Sequence, residues 1–275
     1  MNAMEDTSGR KDRRIPLVET GGLEVTYGTG REKVRAVRGV DLAIAPGEAL
    51  GLVGESGCGK SSLGRALLRL EDPSSGEVLF EGSPVTGLRG AALKAFRRRA
   101  QIIFQDPFGS LNPRLKVGRA IEEVLHIHGL GADNPARRRR VRELLDDVGL
   151  EPAFADRYPH EFSGGQRQRI CIARALALDP VFLVADEPVS ALDVSVQANI
   201  LDLLRRIRAE RDIAMLFISH DLAVVRAVCE RIAVMKDGEI VETGTADQVC
   251  DRPRHAYTKK LLSAVPDLAG IGEGA

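Results

Sequence analysis

The chain has 275 residues, 44% of them hydrophobic and 28% charged, the balance of a soluble globular domain with room for a subdomain. Lys+Arg and Asp+Glu both number 39, so the formal net charge is zero, which excludes a nucleic-acid partner held by bulk electrostatics. No apolar run approaches the roughly 18–20 residues needed to cross a bilayer; the longest candidate, around 170–185, is broken by Arg174, Asp179 and Pro180.

Residues 1–16 are polar and mixed in charge, without an apolar core, and read as a flexible tail rather than a secretory signal. From residue 17 the pattern turns β-like. Leu23-Glu24-Val25-Thr26-Tyr27 alternates apolar and polar, and Gly28-Thr29-Gly30 follows as a turn. A second strand pair is expected over 35–40 and 40–44, closed by the turn Pro46-Gly47-Glu48. Ala49-Leu50-Gly51-Leu52-Val53 is a short continuous apolar run, the mark of a parallel strand buried on both faces. It runs into Gly54-Glu55-Ser56-Gly57-Cys58-Gly59-Lys60-Ser61 and then into helical spacing over 62–70.

That octet fits G-x-x-x-x-G-K-[ST] without a mismatch. Glycines let backbone N–H groups turn inward around phosphate oxygens, and the helix behind offers its positive end. Lys60 can reach the β- and γ-phosphates and Ser61 can ligate Mg2+.

From about 88 to 165 the character changes. Arginine runs at 97–99 and 137–140 and helical patterns at 117–128 and 138–148, with Asn134-Pro135 and Gly149 as start and stop signals, read as a mainly helical subdomain inserted into an α/β core. Beyond it, 181–185 and 214–218 are buried-strand patterns flanking a helix over 196–208; 232–235 and 239–241 close the core around the turn Lys236-Asp237-Gly238. Asp186 and Glu187, at the end of the first of these strands, supply what a phosphate loop lacks: one carboxylate for Mg2+ and one to orient and deprotonate water.

Four scattered cysteines, Cys58, Cys171, Cys229 and Cys250, make no metal-ligand spacing and suit a reducing compartment. His126 and His128 are not placed as a ligand pair. Arg137 to Arg140 read as a solvated helix face, and Cys58 as a bystander inside the phosphate loop.

A further motif is more specific. Phe162-Ser163-Gly164-Gly165-Gln166-Arg167-Gln168-Arg169 resembles the signature of ATP-binding cassette (ABC) ATPases, with Phe162 where leucine is usual. Gln105 stands in the place of the glutamine loop, Ser190-Ala191-Leu192-Asp193 resembles the D-loop, His220 the switch histidine, and Tyr27 the aromatic that stacks on adenine. Within that superfamily, Gln105-Asp106-Pro107-Phe108-Gly109-Ser110-Leu111-Asn112-Pro113-Arg114 and Arg254-His255-Ala256-Tyr257-Thr258 are similar to the oligopeptide/dipeptide permease branch, with Ala256 where proline is commoner.

The resemblance implies a RecA-like ABC ATPase core with an antiparallel β subdomain and the helical insertion over 17–250, and a permease-type extension over 251–275. It implies ATP and Mg2+, with phosphates on Gly54, Glu55, Ser56, Gly57, Cys58, Gly59, Lys60, Ser61 and Ser62; metal contacts from Ser61, Gln105 and Asp186; and chemistry from Glu187, His220 and Lys60. Ser163, Gly164, Gly165 and Gln166 would face the ATP of the opposite subunit, so two cassettes, identical or paralogous, close head-to-tail around two ATP molecules. Transmembrane permease subunits and an extracytoplasmic solute-binding protein complete the implied assembly, on the cytoplasmic face of the membrane. The implied cargo is a di- or oligopeptide, with nickel or another small solute as the alternative. Soluble ABC proteins that act on DNA or ribosomes, and phosphate-loop kinases or GTPases, fit the spacing and the D-loop less well. With Cys250 alone in the tail, no iron–sulfur cluster is expected.

Overall fold

The structure is a computed structural model that describes residues 15–28, 30 and 33–263; residues 1–14 of the expected tail lie outside them. Among the described residues ten strands run in chain order: β1 Val18–Tyr27, β2 Val34–Ile44, β3 Ala49–Val53, β4 Ser75–Phe80, β5 Ser83–Pro84, β6 Ala100–Ile103, β7 Phe182–Asp186, β8 Ala214–Ser219, β9 Arg231–Lys236 and β10 Glu239–Thr245. They form an antiparallel four-stranded sheet of order β2-β1-β4-β5 and a six-stranded sheet of order β10-β9-β3-β8-β7-β6. In the larger sheet all neighbours are parallel except β9 and β10.

The central strands are apolar because both faces are covered. Along β3, Leu50 and Leu52 point into the core shared with the smaller sheet, while Ala49 and Val53 point into the core beneath the helices. β7 and β8 alternate in the same way: Phe182, Val184, Leu216 and Ile218 on one side, Leu183, Ala185, Met215 and Phe217 on the other. Truncating Leu50 or Leu52 to alanine would cost about 2–5 kcal/mol. Gly51 faces the helical side, where a Cβ would lie 2.0 Å from Val225 Cγ1.

Two local expectations are revised. Residues 35–44 make one continuous strand, β2, and not two, because Gly39 takes φ +63° and lets the chain pass a break in register without turning back. The helix after the phosphate loop, α1, spans Lys60–Leu67 and starts two residues earlier than expected; it stops where Arg69 turns left-handed at φ +54°.

Within 88–165, α2 (Gly90–Arg99) leads into β6, the edge strand of the large sheet, and the helices α3 (Pro107–Ser110), α4 (Val117–Ile127) and α5 (Asn134–Asp147) follow. The side chain of Asp133 caps α5 by accepting from Ala136 N, with Pro135 in the first turn. Two 3-10 turns, Pro152–Asp156 and Pro159–Glu161, bring the chain to α6 (Gly164–Leu176), which returns to the core. α7 (Val194–Arg211) and α8 (Leu222–Val228) flank β8, and α9 (Ala246–Asp251) and α10 (Ala256–Ser263) end the described chain. The loops that leave β3, β6, β7 and β8 all emerge at the carboxyl ends of neighbouring parallel strands, where α/β sheets bind ligands.

Candidate functional site: a phosphate loop facing two carboxylates

The phosphate loop is held on two sides by sequence-distant backbone. A Cβ on Gly54 would lie 2.2 Å from Met235 O, and one on Gly59 2.0 Å from Ala36 O; Gly59 also sits at φ +108°. Cys58 O accepts from Gly238 N at 3.0 Å, which ties the loop to the β9–β10 turn. α1 then begins with neither a side-chain cap nor an acidic residue in its first turn, so its N–H groups remain available to an anion.

Lys60 is 5% exposed, and its ammonium is parked on the loop's own carbonyls, donating to Gly54 O at 2.7 Å and Glu55 O at 2.9 Å. Beside it lies the Cys58 Sγ at 3.8 Å; burial pushes that thiol's pKa up, partly offset by the Lys60 charge.

Opposite stands the acidic pair. Ser61 Oγ donates to Asp186 Oδ1 at 2.8 Å, bridging α1 and β7. Burial raises the pKa of Asp186, against the pull of the Ser61 hydrogen bond and of Arg65; its neighbour Glu187 pushes the same way as burial. Glu187 adopts φ +46°, a left-handed turn fixed by donation from its own N–H to Ile218 O at 3.0 Å. That turn swings its carboxylate to Gln105 and His220: Gln105 Nε2 donates to Glu187 Oε2 at 3.0 Å, and His220 Nδ1 lies 3.5 Å from the same oxygen.

The loops after β3, β6, β7 and β8 thus converge. Ser56, Lys60, Ser61, Gln105, Glu187 and His220 line one cleft of about 480 Å³. Tyr27 reaches its edge, donating from its hydroxyl to Ser62 Oγ at 3.2 Å. Ala36, which the sequence did not single out, also lines the cleft; its backbone carbonyl is what excludes a side chain at Gly59, a role no side-chain pattern encodes.

The signature residues stand apart: none of Ser163, Gly164, Gly165 and Gln166 lines that cleft. Ser163 caps α6 in a reciprocal box, Ser163 Oγ accepting from Gln166 N at 3.3 Å and Gln166 Oε1 accepting from Ser163 N at 3.0 Å. Phe162 is buried against Phe154 with ring centroids 5.5 Å apart, so the replacement of leucine is absorbed inside the helical subdomain. A Cβ on Gly165 would lie 2.5 Å from Val196 Cγ1, which seats α6 close against α7.

Within the arginine run, Arg138 and Arg139 are exposed as expected, but Arg137 departs from it: its side chain is 13% exposed and donates to Gly131 O and Asn134 Oδ1. Among the described residues no group of three or more His, Cys, Asp or Glu is placed to hold a metal ion.

Comparison with known proteins agrees with this geometry. The family model described as ABC transporter matches residues 37–190, and that described as oligopeptide/dipeptide transporter, C-terminal region, matches 241–273. The putative oligopeptide transport ATP-binding protein YkfD of Bacillus subtilis (strain 168) is 51% identical over 255 residues, covering 92% of this chain and 78% of that one. The dipeptide transport ATP-binding protein DppF of Lactococcus lactis subsp. cremoris (strain MG1363) is 50% identical over 260 residues, covering 94% and 83%. A dimeric, post-hydrolysis structure of the ATP-binding cassette MJ0796 bound to ADP and Pi superposes with a TM-score of 0.76 at 34% identity, covering 83% of this chain and 98% of that one. The phosphate loop, the acidic pair and the separate signature helix have the expected cassette fold around them, and the chain belongs to the ABC transporter family of ATPases.

Proposed function

We propose that this chain is the ATP-hydrolysing subunit of a membrane importer for di- and oligopeptides. The observation that carries the reading is the shared grip on Glu187: one carboxylate oxygen faces both Gln105 and His220 across a cleft floored by the phosphate loop. That is the arrangement for in-line attack of water on a γ-phosphate, with Glu187 taking the proton and His220 aligning the attack. Lys60 is placed to leave the Gly54 and Glu55 carbonyls for phosphate oxygens, a charge-assisted exchange of acceptors. The loop from Gly54 to Ser62 cradles the phosphates, and Tyr27 stacks on the base.

The donors fit a hard dication. The Ser61 hydroxyl and the Asp186 carboxylate, 2.8 Å apart, offer oxygen ligands, and Gln105, which lines the cleft with Ser61, carries a further amide oxygen. Bound Mg2+ would neutralise charge on the β- and γ-phosphates.

With the signature residues outside the cleft, Ser163, the N–H groups of Gly164 and Gly165, and Gln166 serve the nucleotide of a second cassette, identical or paralogous. The permease subunits dock near Gln105 and the helical subdomain, on a groove of about 550 Å³ within that subdomain lined by Arg114, Lys116, Arg119, Glu122, Asp156 and Tyr158. Among the described residues no helix is long and apolar enough to cross a membrane; the subunit sits peripherally on the cytoplasmic face, and an extracytoplasmic solute-binding protein delivers the cargo. Peptide cargo is supported by the match of residues 241–273 and by the names of the relatives.

The test is to copurify the chain with its permease partners, reconstitute them, and measure ATPase activity against binding proteins loaded with candidate solutes. Peptide-loaded protein is expected to stimulate turnover. Stimulation by nickel-loaded protein alone would move the cargo to the metal; copurification with nucleic acid in place of membrane partners would overturn the transport role.

A further inference from the structure

The C-terminal extension reaches the phosphate loop. Tyr257, in α10, is 6% exposed, and its hydroxyl accepts the Glu55 N–H at 3.0 Å. The ring lies under Lys236, whose Nζ is 5.4 Å from the centroid, and the next turn of α10 sets Lys260 Nζ 3.6 Å from the Glu55 carboxylate. The start of α10 is itself anchored. Glu242, on β10, accepts from Arg254 N at 2.8 Å and His255 N at 3.0 Å, and His255 Nδ1 accepts from Tyr257 N at 3.1 Å. A helix that could have dangled from the sheet is a strap running from β10 to the loop.

The contact acts on one particular peptide unit. The N–H held by Tyr257 and the carbonyl of Gly54 belong to the same planar amide. That carbonyl is the closer of the two acceptors on which Lys60 is parked, at 2.7 Å. Hydroxyl and ammonium therefore grip opposite ends of one rigid group, and each polarises it in favour of the other. When Lys60 leaves for a phosphate, the carbonyl end loses its cation and the N–H end is left to Tyr257 alone. When Tyr257 lacks its hydroxyl, Lys60 alone holds the amide, and that hold is given up as the ammonium moves to a phosphate, so the loop is less well ordered for binding. Burial raises the pKa of the Tyr257 phenol, so it remains a neutral acceptor at physiological pH.

We propose that Tyr257 is a positioning residue for nucleotide binding: through the Gly54–Glu55 amide it preorganises the phosphate loop and makes the C-terminal strap a sensor of the loop's occupancy. This deepens the reading of the cleft as an ATP site and rests on it. Coupling is reciprocal, so a strap that helps the loop to bind must change its own exchange behaviour when the loop is filled.

The experiment compares the full chain with its Tyr257→Phe variant, which keeps the ring and its cation contact. Affinity for Mg-ATP is measured by calorimetry, and hydrogen exchange over 254–263 is followed with and without nucleotide. Loss of the hydroxyl is expected to weaken ATP binding by about threefold to tenfold, the yield of one hydrogen bond. In the wild type, exchange of the strap is expected to change on adding Mg-ATP; in the variant that response is expected to disappear. A role in stability alone would lower the melting temperature equally with and without ATP; here the extra melting temperature conferred by ATP shrinks. Equal affinities in the two chains, or a strap in the wild type indifferent to ATP, would overturn the inference, and the second measurement decides even if the variant fails to fold. Failure of the wild type to bind ATP at all would instead remove the functional reading beneath it.

Discussion

The phosphate loop and the start of α6 are both glycine-rich helix N-termini, yet the chain treats them in opposite ways. The loop is pinned from three directions, by Ala36 O, Gly238 N and the Tyr257 hydroxyl, while the helix behind it is left uncapped and a buried ammonium waits on its carbonyls. The α6 terminus is capped by its own Ser163 and Gln166 and leaves Ser163 exposed, away from the cleft. One keeps its donors open inside a cleft of its own chain. The other has its cap satisfied locally and stands outside that cleft, the placement expected of a part lent to a second cassette's site.

The comparison breaks most visibly at Glu187. Glu187→Gln keeps the shape and the Gln105 contact but removes the base, so ATP turnover is expected to fall by about 10²–10⁴-fold while ATP binding and dimer formation persist; phosphate release and gel filtration with ATP check both. Near-normal hydrolysis would remove Glu187 from its role. Next in size is Lys60→Ala, expected to weaken ATP binding by roughly 10²-fold, because the charge-assisted contacts its ammonium would make to phosphate oxygens on leaving the Gly54 and Glu55 carbonyls are lost; calorimetry reads it.

A smaller effect sharpens the contrast. Ser163→Asp preserves the helix cap, since aspartate caps as well as serine, but sets a negative charge where the partner's γ-phosphate would come. ATP binding by the separate chain should be unchanged and turnover reduced at least tenfold, in steady-state assays above the dimerisation concentration. Full activity would show that the signature contributes nothing across the interface.

The smallest effect concerns Asp186. Its folded pKa is raised by burial, so the ionised form is a liability: stability is greatest below the ordinary carboxylate range and is lost as pH rises through the folded value. Asp186→Asn is expected to stabilise the nucleotide-free chain at pH 7 by about 0.5–2 kcal/mol, the size of gain common when a functional group is removed. That advantage should vanish in acid; denaturant melts at pH 7 and pH 4 decide it.

The parts of this molecule that a sequence displays are those whose chemistry or geometry demands a residue type at a fixed spacing. The phosphate loop, Asp186 and Glu187 behind a buried strand, and Asn134-Pro135 at a helix start are of that kind. What escaped were contacts made by backbone or across long separations. β2 looked like two strands because a glycine at φ +63° resembles a turn until the partner strand is seen to continue beside it. β4, with Ser75 opposite Glu24 and Val78 opposite Thr20, gave no local sign beneath its turn-like Asp72-Pro73-Ser74 start. Arg137 lay in a run that looked solvated, yet its guanidinium is folded back onto Gly131 and Asn134. Tyr257 was legible only as part of a family tail; its grip on Glu55 spans about two hundred residues, a distance no periodicity reaches.

The sulfur beside Lys60 offers a chemical probe of the loop. Cys58 is 8% exposed with its ionisation suppressed by burial, so an alkylating reagent is expected to label it more slowly than a free thiol at the same pH. The ratio of the two labelling rates reads out how far the folded loop shields its sulfur.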